Sequence, residues 1–233
     1  MESILSGVLR FQQDDFPRER EYFEHLAAKP QRPKALFITC SDSRVMPNHI
    51  TKTEPGELFT IRNAGNLVPP YNEVMAGGEI ATIEYSVAVL GVKHLIVCGH
   101  SGCGAMEAML HPEKMEDLHA VQSWLSHAEA TRQIMKLKHR DLSGEERMMV
   151  AVEENVLVQM NNLSTHPCVA ARIATGEVRI YGWYYDIAKG KILQYHPGTR
   201  KFEVLGGEAH ASIPLPLRYT DDPVLERDPS ARD

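Results

Sequence analysis

Residues 35–44 read ALFITCSDSR, a continuous apolar run that stops at a cluster of polar side chains. Such a run is typical of a β-strand that is buried on both faces of a sheet. Residues 94–98 (HLIVC) repeat the pattern and are followed by GHSGCG at residues 99–104. We expect a further strand at residues 58–62 (LFTIR), which precede a turn-rich stretch.

Helical spacing of apolar residues separates these strands. It predicts helices over residues 77–90, 105–110 and 146–163. Residues 177–187 and 191–195 are predicted strands, joined by a hairpin turn at Gly190 and its neighbours. Because strands alternate with helices, the sequence predicts an α/β fold with a mostly parallel β-sheet flanked by helices.

The first 30 residues are predicted to form an N-terminal helical arm. Apolar side chains recur at helical spacing from Ile4 to Leu26, with an interruption expected at Pro17. The arm has no core of its own, so we expect it to pack on the main domain or on a partner subunit. Residues 1–233 are predicted to form a single domain, in which residues 219–233 are a loose tail with little to bury.

The composition excludes several classes of protein. A net charge of −6 without a block of basic residues argues against a nucleic-acid partner. No stretch is apolar enough to span a membrane, and the first residues do not resemble a secretory signal. We therefore expect a cytoplasmic protein whose four cysteines are thiols rather than disulfides.

A candidate metal site is formed by three residues that stand at or just after the ends of predicted strands. Cys40 ends one apolar run, and His100 and Cys103 follow another on a turn of small residues. In a parallel sheet the carboxyl ends of the strands share one edge, so these side chains can converge. Two thiolates and an imidazole favour zinc. For Cys98 and Cys168 we prefer the interpretation of buried thiols without a ligand role.

Asp42 and Arg44 decide what such a zinc ion can do. Asp42 lies two residues after Cys40 and is close enough to reach the same metal. A helix cap or Asx turn is the plain alternative for Asp42, and a solvated surface position is the alternative for Arg44. As a pair, Arg44 keeps Asp42 ionised and away from the zinc. Zinc-bound hydroxide, oriented by Asp42, is then the expected nucleophile.

Two consequences follow from this arrangement. If Asp42 moves onto the zinc instead, the site is closed and inactive. Because two thiolates cancel the charge of Zn²⁺, the metal should acidify its water less than a three-histidine site, which brings the pKa to about 7. We therefore expect activity to rise toward alkaline pH.

Other catalytic motifs fit the sequence less well. Residues 99–103 approach the Gly-x-Ser-x-Gly pattern of serine hydrolases, but the fifth position is Cys103. The glycines do not form a nucleotide-binding motif. A redox pair of Cys40 and Cys103 would be possible without metal, but no Cys-x-x-Cys motif is present.

Four motifs in order resemble the β-class carbonic anhydrases, and most closely their bacterial and plant-type branch. They are CSDSRV at residues 40–45, EPGELF at 54–59, RNAGN at 62–66 and GHSGCG at 99–104. The resemblance extends from about residue 3 to residue 216. It implies an enzyme that hydrates carbon dioxide reversibly to bicarbonate and a proton.

The resemblance also implies roles for individual residues. One zinc ion per subunit would be bound by Cys40, His100 and Cys103, with Asp42 and Arg44 as the catalytic dyad.

Five further positions match the substrate pocket of the family. Gln31 would hydrogen-bond the substrate, although an ordinary loop glutamine is its alternative. Phe59 and Tyr85 would form apolar or aromatic pocket walls, and Ala64 stands where a valine is usual. The backbone N–H of Gly104 would face the substrate.

One position departs from a regulated branch of the family, which binds bicarbonate at a Trp-Arg-Tyr site and closes the zinc with its aspartate. Arg62 and Tyr185 are present, but Phe37 stands at the tryptophan position. Phenylalanine cannot donate a hydrogen bond to the anion. We therefore expect a site that is open at neutral pH, without strong inhibition by bicarbonate.

The family forms homodimers or larger homo-oligomers, with N-terminal helices wrapped around a neighbour and the active site at the dimer interface. Residues 177–187 are a candidate edge strand for larger assemblies. Two other functions stay open at this stage, namely hydrolysis of carbon disulfide or carbonyl sulfide and a non-catalytic zinc-binding regulator.

Overall fold

The strands form one sheet in the computed structural model, which describes residues 1–74 and 77–206. They are β1 (Ala35–Cys40), β2 (Leu58–Asn63), β3 (His94–His100), β4 (Arg179–Asp186), β5 (Lys191–His196) and β6 (Lys201–Val204). In the described part their order is β2-β1-β3-β4-β5-β6. The first four strands in this order are parallel to one another, and β5 and β6 are antiparallel. The predicted α/β fold with a mostly parallel sheet is confirmed.

Helices connect the strands and lie at the amino terminus. They are α1 (Glu2–Arg10), α2 (Phe16–Ala28), α3 (Pro47–Thr51), α4 (Gly78–Glu84), α5 (Gly104–Leu110), α6 (His119–Leu125), α7 (Glu129–Leu137), α8 (Gly144–Ser164) and α9 (Pro167–Ala174). A π-helical turn, Tyr85–Val89, continues α4, so the helix predicted over residues 77–90 is confirmed. The predicted helices at residues 105–110 and 146–163 correspond to α5 and α8.

The main core lies between the sheet and α8. Leu36 and Ile38 of β1 and Val97 of β3 are fully buried there, in contact with the apolar stripe of α8. Gly99 allows this helix to approach the sheet closely. A Cβ at this position would lie only 2.5 Å from Cγ1 of Val152, so any side chain would push α8 away. Helix α8 therefore packs tightly against β3 next to His100, at the carboxyl edge of the sheet.

The amino-terminal arm is helical but has no buried residue in α1. A π-helical turn at Phe11–Asp15 separates α1 from α2. The interruption therefore lies before Pro17, which stands in the first turn of α2, where a missing N–H is tolerated. In a regular α-helix the Pro17 ring would clash with the carbonyl of Gln13, which accounts for the wider turn at that point.

Several features differ from the sequence-based expectations. The suggestion that residues 177–187 form an edge strand is wrong, because β4 lies between β3 and β5 and pairs with both. Strand β6 and helices α3 and α9 were not predicted, since each is short. The predicted tail at residues 219–233 lies outside the described residues. Among the described helices, none has the length and apolar character needed to cross a membrane.

Candidate metal centre

Three side chains converge at the carboxyl edge of the sheet. Cys40 is the last residue of β1, His100 is the last residue of β3, and Cys103 immediately precedes α5. Their ligand atoms all lie within 4.8 Å of one another, and all three residues are buried. The prediction that they lie close together is confirmed, and together they could hold a metal ion.

The imidazole of His100 is oriented for this purpose. Its Nδ1 lies 3.0 Å from the carbonyl oxygen of Ser101, which can only accept a hydrogen bond. The ring proton is therefore on Nδ1, and Nε2 carries a lone pair. Nε2 is buried without a hydrogen-bond partner among the described residues. An unpartnered buried nitrogen beside two thiols fits a metal ligand better than a packing role.

The two sulfur atoms are close enough to influence each other. Sγ of Cys103 lies 3.9 Å from Sγ of Cys40. Hydrogen bonding by Cys103 lowers the pKa of Cys40 to about 4, helped by the backbone N–H of Gly65. The interaction with Cys40, together with burial, raises the pKa of Cys103. The centre thus favours a thiolate at Cys40, the form in which cysteine binds metals.

Asp42 stands beside this cluster in a two-point contact with Arg44. Its Oδ1 accepts hydrogen bonds from Nε of Arg44 at 2.9 Å and from the Arg44 backbone N–H at 3.0 Å. Its Oδ2 accepts one from Nη2 of Arg44 at 2.7 Å. These hydrogen bonds from Arg44 hold the pKa of Asp42 well below its usual range. The carboxylate is therefore ionised, and its Oδ2 lies 3.9 Å from Nε2 of His100.

Two further contacts fix the position of this pair. Nη2 of Arg44 also donates to the carbonyl of Gly102, at 3.2 Å, on the turn between His100 and Cys103. Arg62 donates from Nε to the carbonyl of Cys40 at 3.2 Å and from Nη2 to the carbonyl of Asp42 at 2.8 Å. Arg62 therefore ties down the backbone on which Cys40 and Asp42 stand.

The other two positions of the Trp-Arg-Tyr comparison lie on the sheet face near Arg62. Phe37 is fully buried and contacts Trp183 edge to face, with ring centroids 5.8 Å apart. Tyr185 packs at the edge of the same cluster. With Phe37 unable to donate and Arg62 bonded to backbone carbonyls, this face offers an anion fewer donors than a Trp-Arg-Tyr site would.

The loop after β2 closes the cluster from the side. The backbone N–H of Gly65 lies 3.5 Å from Sγ of Cys40. Gly65 has a φ of +83°, and a Cβ there would lie 3.0 Å from Cβ of Ala105 and 3.2 Å from Cε of Met106. Glycine is thus required here both by the backbone conformation and by the contact with α5.

Two amide side chains of α8 hold this loop, and the sequence reasoning missed them. Asn155 donates from Nδ2 to the carbonyl of Gly65 at 3.0 Å. Gln159 accepts from the backbone N–H of Val68 at 2.9 Å, and its own Nε2 donates to Oδ1 of Asn155 at 3.0 Å. The signal in the sequence is a pair of amides four residues apart, with the apolar residues 156–158 between them.

The proposed substrate residues fall into two groups. Ala64 and Gly104 lie beside the cluster, since they adjoin Gly65 and Cys103 in the chain. Phe59 lies in register with Leu36, four residues before Cys40 along β1. That offset corresponds to about 13 Å along a strand. The chain therefore places Phe59 away from the metal ligands.

Gln31 and Tyr85 lie with Phe59 in this second group. The rings of Phe59 and Tyr85 are in contact, with centroids 6.1 Å apart. Gln31 lines a cavity of about 730 Å³ between the end of α2 and the turn before β2, which Tyr22 and Leu26 also line. A single chain does not bring these three residues to the ligands.

Comparisons with known proteins agree with this geometry. A family model described as carbonic anhydrase matches residues 35–192, more than half of the chain. The carbonic anhydrase of Pseudomonas aeruginosa is 49% identical over 202 residues, which cover 87% of this chain and 90% of that protein. Carbonic anhydrase 1 of Escherichia coli O157:H7 is 42% identical over 219 residues, or 94% and 98% of the two chains.

Solved structures give the same result. The β-carbonic anhydrase CcaA matches with a TM-score of 0.85 and 42% identity, over 88% of this chain and 98% of that one. A β-carbonic anhydrase of Sordaria macrospora, described as tetrameric, matches with a TM-score of 0.73 and 29% identity, over 83% and 95% of the two chains. Sequence, fold and the buried Cys-His-Cys cluster therefore agree that the chain belongs to the β-class carbonic anhydrase family.

Proposed function

We propose that this protein catalyses the zinc-dependent, reversible hydration of carbon dioxide to bicarbonate and a proton. One zinc ion per chain would be bound by Cys40, His100 and Cys103. The observation that carries the proposal is the buried Nε2 of His100, which has no hydrogen-bond partner among the described residues and belongs to a cluster in which the ligand atoms of His100, Cys40 and Cys103 lie within 4.8 Å of one another. Two sulfur ligands and one imidazole leave a fourth position for water in a tetrahedral site.

A zinc ion in this site would lower the pKa of a water molecule and so supply a nucleophile near neutral or alkaline pH. Asp42 would accept a hydrogen bond from that water and orient it toward the substrate. Arg44 would keep the carboxylate ionised and turned away from the metal, which the two short hydrogen bonds between the side chains support. The dyad would thus prevent Asp42 from becoming a fourth protein ligand.

Carbon dioxide has no charge, so we propose that shape and weak polarisation position it. Ala64 would give the near wall of the pocket, and the backbone N–H of Gly104 would face a substrate oxygen. Gln31, Phe59 and Tyr85 would complete the pocket from a second copy of the chain. Their separation from the ligands within one chain supports this arrangement, because Phe59 is four positions from Cys40 in register.

A homodimer or larger homo-oligomer follows from the same reasoning. The apolar side chains of α1 are exposed, with 65% of Ile4 and 53% of Leu9 accessible. A partner that covered this face would remove the exposed apolar surface from water. The related protein of Sordaria macrospora is tetrameric by its description.

We also propose that the protein works in the cytoplasm and without strong inhibition by bicarbonate. The four cysteines are free thiols, which suits a reducing compartment. Phe37 offers no donor to an anion, and the Nε and Nη2 groups of Arg62 bond to backbone carbonyls. Asp42 should therefore stay on Arg44 at neutral pH, with or without bicarbonate.

The experiment that tests this function is stopped-flow carbon dioxide hydration by zinc-loaded protein from pH 6 to pH 9. We expect the wild type to be active with a rate that rises with pH, whereas Asp42→Ala and Cys103→Ser are strongly impaired. Cys168→Ser serves as the matched control, because Cys168 lies outside the cluster. Equal rates in all four proteins at full zinc content, or a flat pH profile, would contradict the proposal.

A further inference from the structure

In the loop that follows β2, residues 64–68 (the metal loop), one peptide group is hydrogen-bonded at both ends. The indole Nε1 of Trp124 donates to the carbonyl oxygen of Ala64 at 2.8 Å. The N–H of the same peptide group belongs to Gly65 and donates to Sγ of Cys40 at 3.5 Å. Trp124, on α6, is therefore linked to a candidate zinc ligand through a single peptide group.

We propose that Trp124 is a positioning residue for the metal centre, acting on Cys40 through this peptide group. The inference rests on the proposed zinc site. The role of Trp124 is to hold the N–H of Gly65 against Sγ of Cys40 and to strengthen that hydrogen bond, so that the protein retains its metal. The indole N–H can only donate a hydrogen bond, so Trp124 is not itself a metal ligand.

The physical basis is cooperativity between hydrogen bonds. A donor on the carbonyl end of a peptide group polarises it and makes its N–H a better donor, by about 10–30% per bond. Cys40 is 6% exposed, so water competes little for its sulfur. A hydrogen bond to an anionic sulfur is stronger than one between neutral groups. Small changes in this bond should therefore be measurable at the metal.

The indole of Trp124 also contacts an aromatic ring. The rings of Trp124 and His127 meet edge to face, with centroids 5.2 Å apart. On the other side of the loop, Asn155 donates to the carbonyl of Gly65, which belongs to the next peptide group. Donors from two different helices, α6 and α8, thus hold the two peptide groups that flank Gly65. Trp124 bonds to the peptide group whose N–H donates to Sγ of Cys40.

The test is Trp124→Phe, which keeps an aromatic ring but removes the N–H. Two quantities are measured on folded protein, the rate of zinc release to a chelator and the sulfur-to-cobalt charge-transfer absorption of the Co²⁺-loaded form. We expect zinc release to become about tenfold faster, at the lower end of the effect of outer-shell partners. The charge-transfer band should shift as well, a change that loss of packing alone would not produce.

Two control variants separate this effect from general damage. Trp183→Phe removes the other indole N–H of the chain, which donates to Oε1 of Gln194 at 3.1 Å and not to the metal loop. His127→Ala removes the ring contact but leaves the indole N–H of Trp124 in place. Both controls should release zinc at the wild-type rate and keep the wild-type absorption band.

The results distinguish the positioning role of Trp124 from the proposed zinc-dependent function. If Trp124→Phe binds zinc and cobalt as the wild type does, or if Trp183→Phe changes them equally, the role of Trp124 is refuted and the proposed function stands. If the wild type binds no zinc, both fall together. Should Trp124→Phe not fold, NMR of the ¹¹³Cd-loaded wild type still decides. A scalar coupling between cadmium and the Gly65 amide proton supports the link through sulfur, and its absence overturns it.

Discussion

The charge and position of a single carboxylate depend on Arg44. Its guanidinium contacts both oxygens of Asp42, at 2.9 and 2.7 Å, while Oδ2 lies only 3.9 Å from Nε2 of His100. A carboxylate released from this contact would be within reach of the same metal. In the proposed function, this one ion pair would separate an open centre from a closed one.

Replacing Arg44 by lysine tests whether two-point contact is needed. Lysine keeps the charge but cannot hold both carboxylate oxygens in a fixed plane. We expect Arg44→Lys to retain zinc and to lose about tenfold in kcat/KM for carbon dioxide hydration, less than the roughly 100-fold or more that complete loss of a positioned proton acceptor would cost. Wild-type activity in this variant would show that the charge alone is sufficient.

Metal content tests the ligand assignment independently of activity. Cys40→Ser and Cys103→Ser should each lose most of the bound zinc, because the hydroxyl of serine is a much weaker ligand than a thiolate. Cys168→Ser should keep one zinc per chain. Mass spectrometry of the metal after dialysis gives the answer, and full zinc in either ligand variant would place the ion elsewhere.

The sequence was sufficient to predict that Cys40, His100 and Cys103 lie together, because each stands at or just after the end of a buried strand. It could not place Trp124, whose hydrogen bond to Ala64 spans 60 positions of the chain. Nor could it show that Phe59 lies away from the ligands, since this depends on the register of β1 and β2. Contacts between distant segments have no local signal in the sequence.

At the scale of elements, α8 serves both the core and the metal loop. Its apolar stripe packs on the sheet, and Asn155 and Gln159 hold the loop after β2. The periodicity of this helix made it predictable. The interior position of β4 was not predictable, because the order of strands in a sheet is set by the packing of the connections and not by the strand sequence.

Helix α8 also carries a carboxyl group that should make stability depend on pH. Burial raises the pKa of Glu153 to about 7, with a smaller contribution from the charge of Glu154. The folded protein thus keeps a proton that the unfolded chain releases near its ordinary pKa of 4.5. Stability should therefore decrease as the pH rises from about 4.5 to about 7, and the loss should persist above that.

Glu153→Gln removes this effect. Allowing for the partial exposure of the group, we expect the variant to be more stable than the wild type by about 2 kcal/mol at pH 8, and nearly equal to it at about pH 4. Urea unfolding at both pH values and one protein concentration measures the difference. Glu146→Gln, at an exposed position of the same helix, should have no such effect. A Glu153→Gln variant that gains nothing at pH 8 would contradict the assigned pKa.

At the scale of the whole molecule, the exposed face of α1 and the distant pocket residues lead to the same expectation. Both would be explained by a second copy of the chain that covers the arm and receives Gln31, Phe59 and Tyr85 at its metal centre. The sequence predicted the arm and its need for a partner. The sequence could not predict the number of copies in the assembly, since an apolar face does not specify how many chains associate.

Charged substitutions in the arm test this assembly. Ile4→Glu combined with Val8→Glu places charges on the apolar face of α1, where 65% and 48% of the two side chains are accessible. We expect association to weaken by about 3 kcal/mol or more, or about 100-fold, and carbon dioxide hydration to fall with it. Light scattering after size exclusion measures the assembly. Ser3→Glu with Ser6→Glu, on the opposite side of α1, should leave it unchanged. Equal assemblies in both variants would exclude the arm as an interface.

The central claim concerns one zinc ion and one carboxylate held beside it. Anomalous diffraction at the zinc edge, from crystals of the zinc-loaded protein at pH 8, tests it most directly. We predict a single peak per chain bonded to Sγ of Cys40, Nε2 of His100 and Sγ of Cys103, with Asp42 still paired with Arg44. A peak at other residues, or Asp42 bound to the zinc at this pH, would contradict the account.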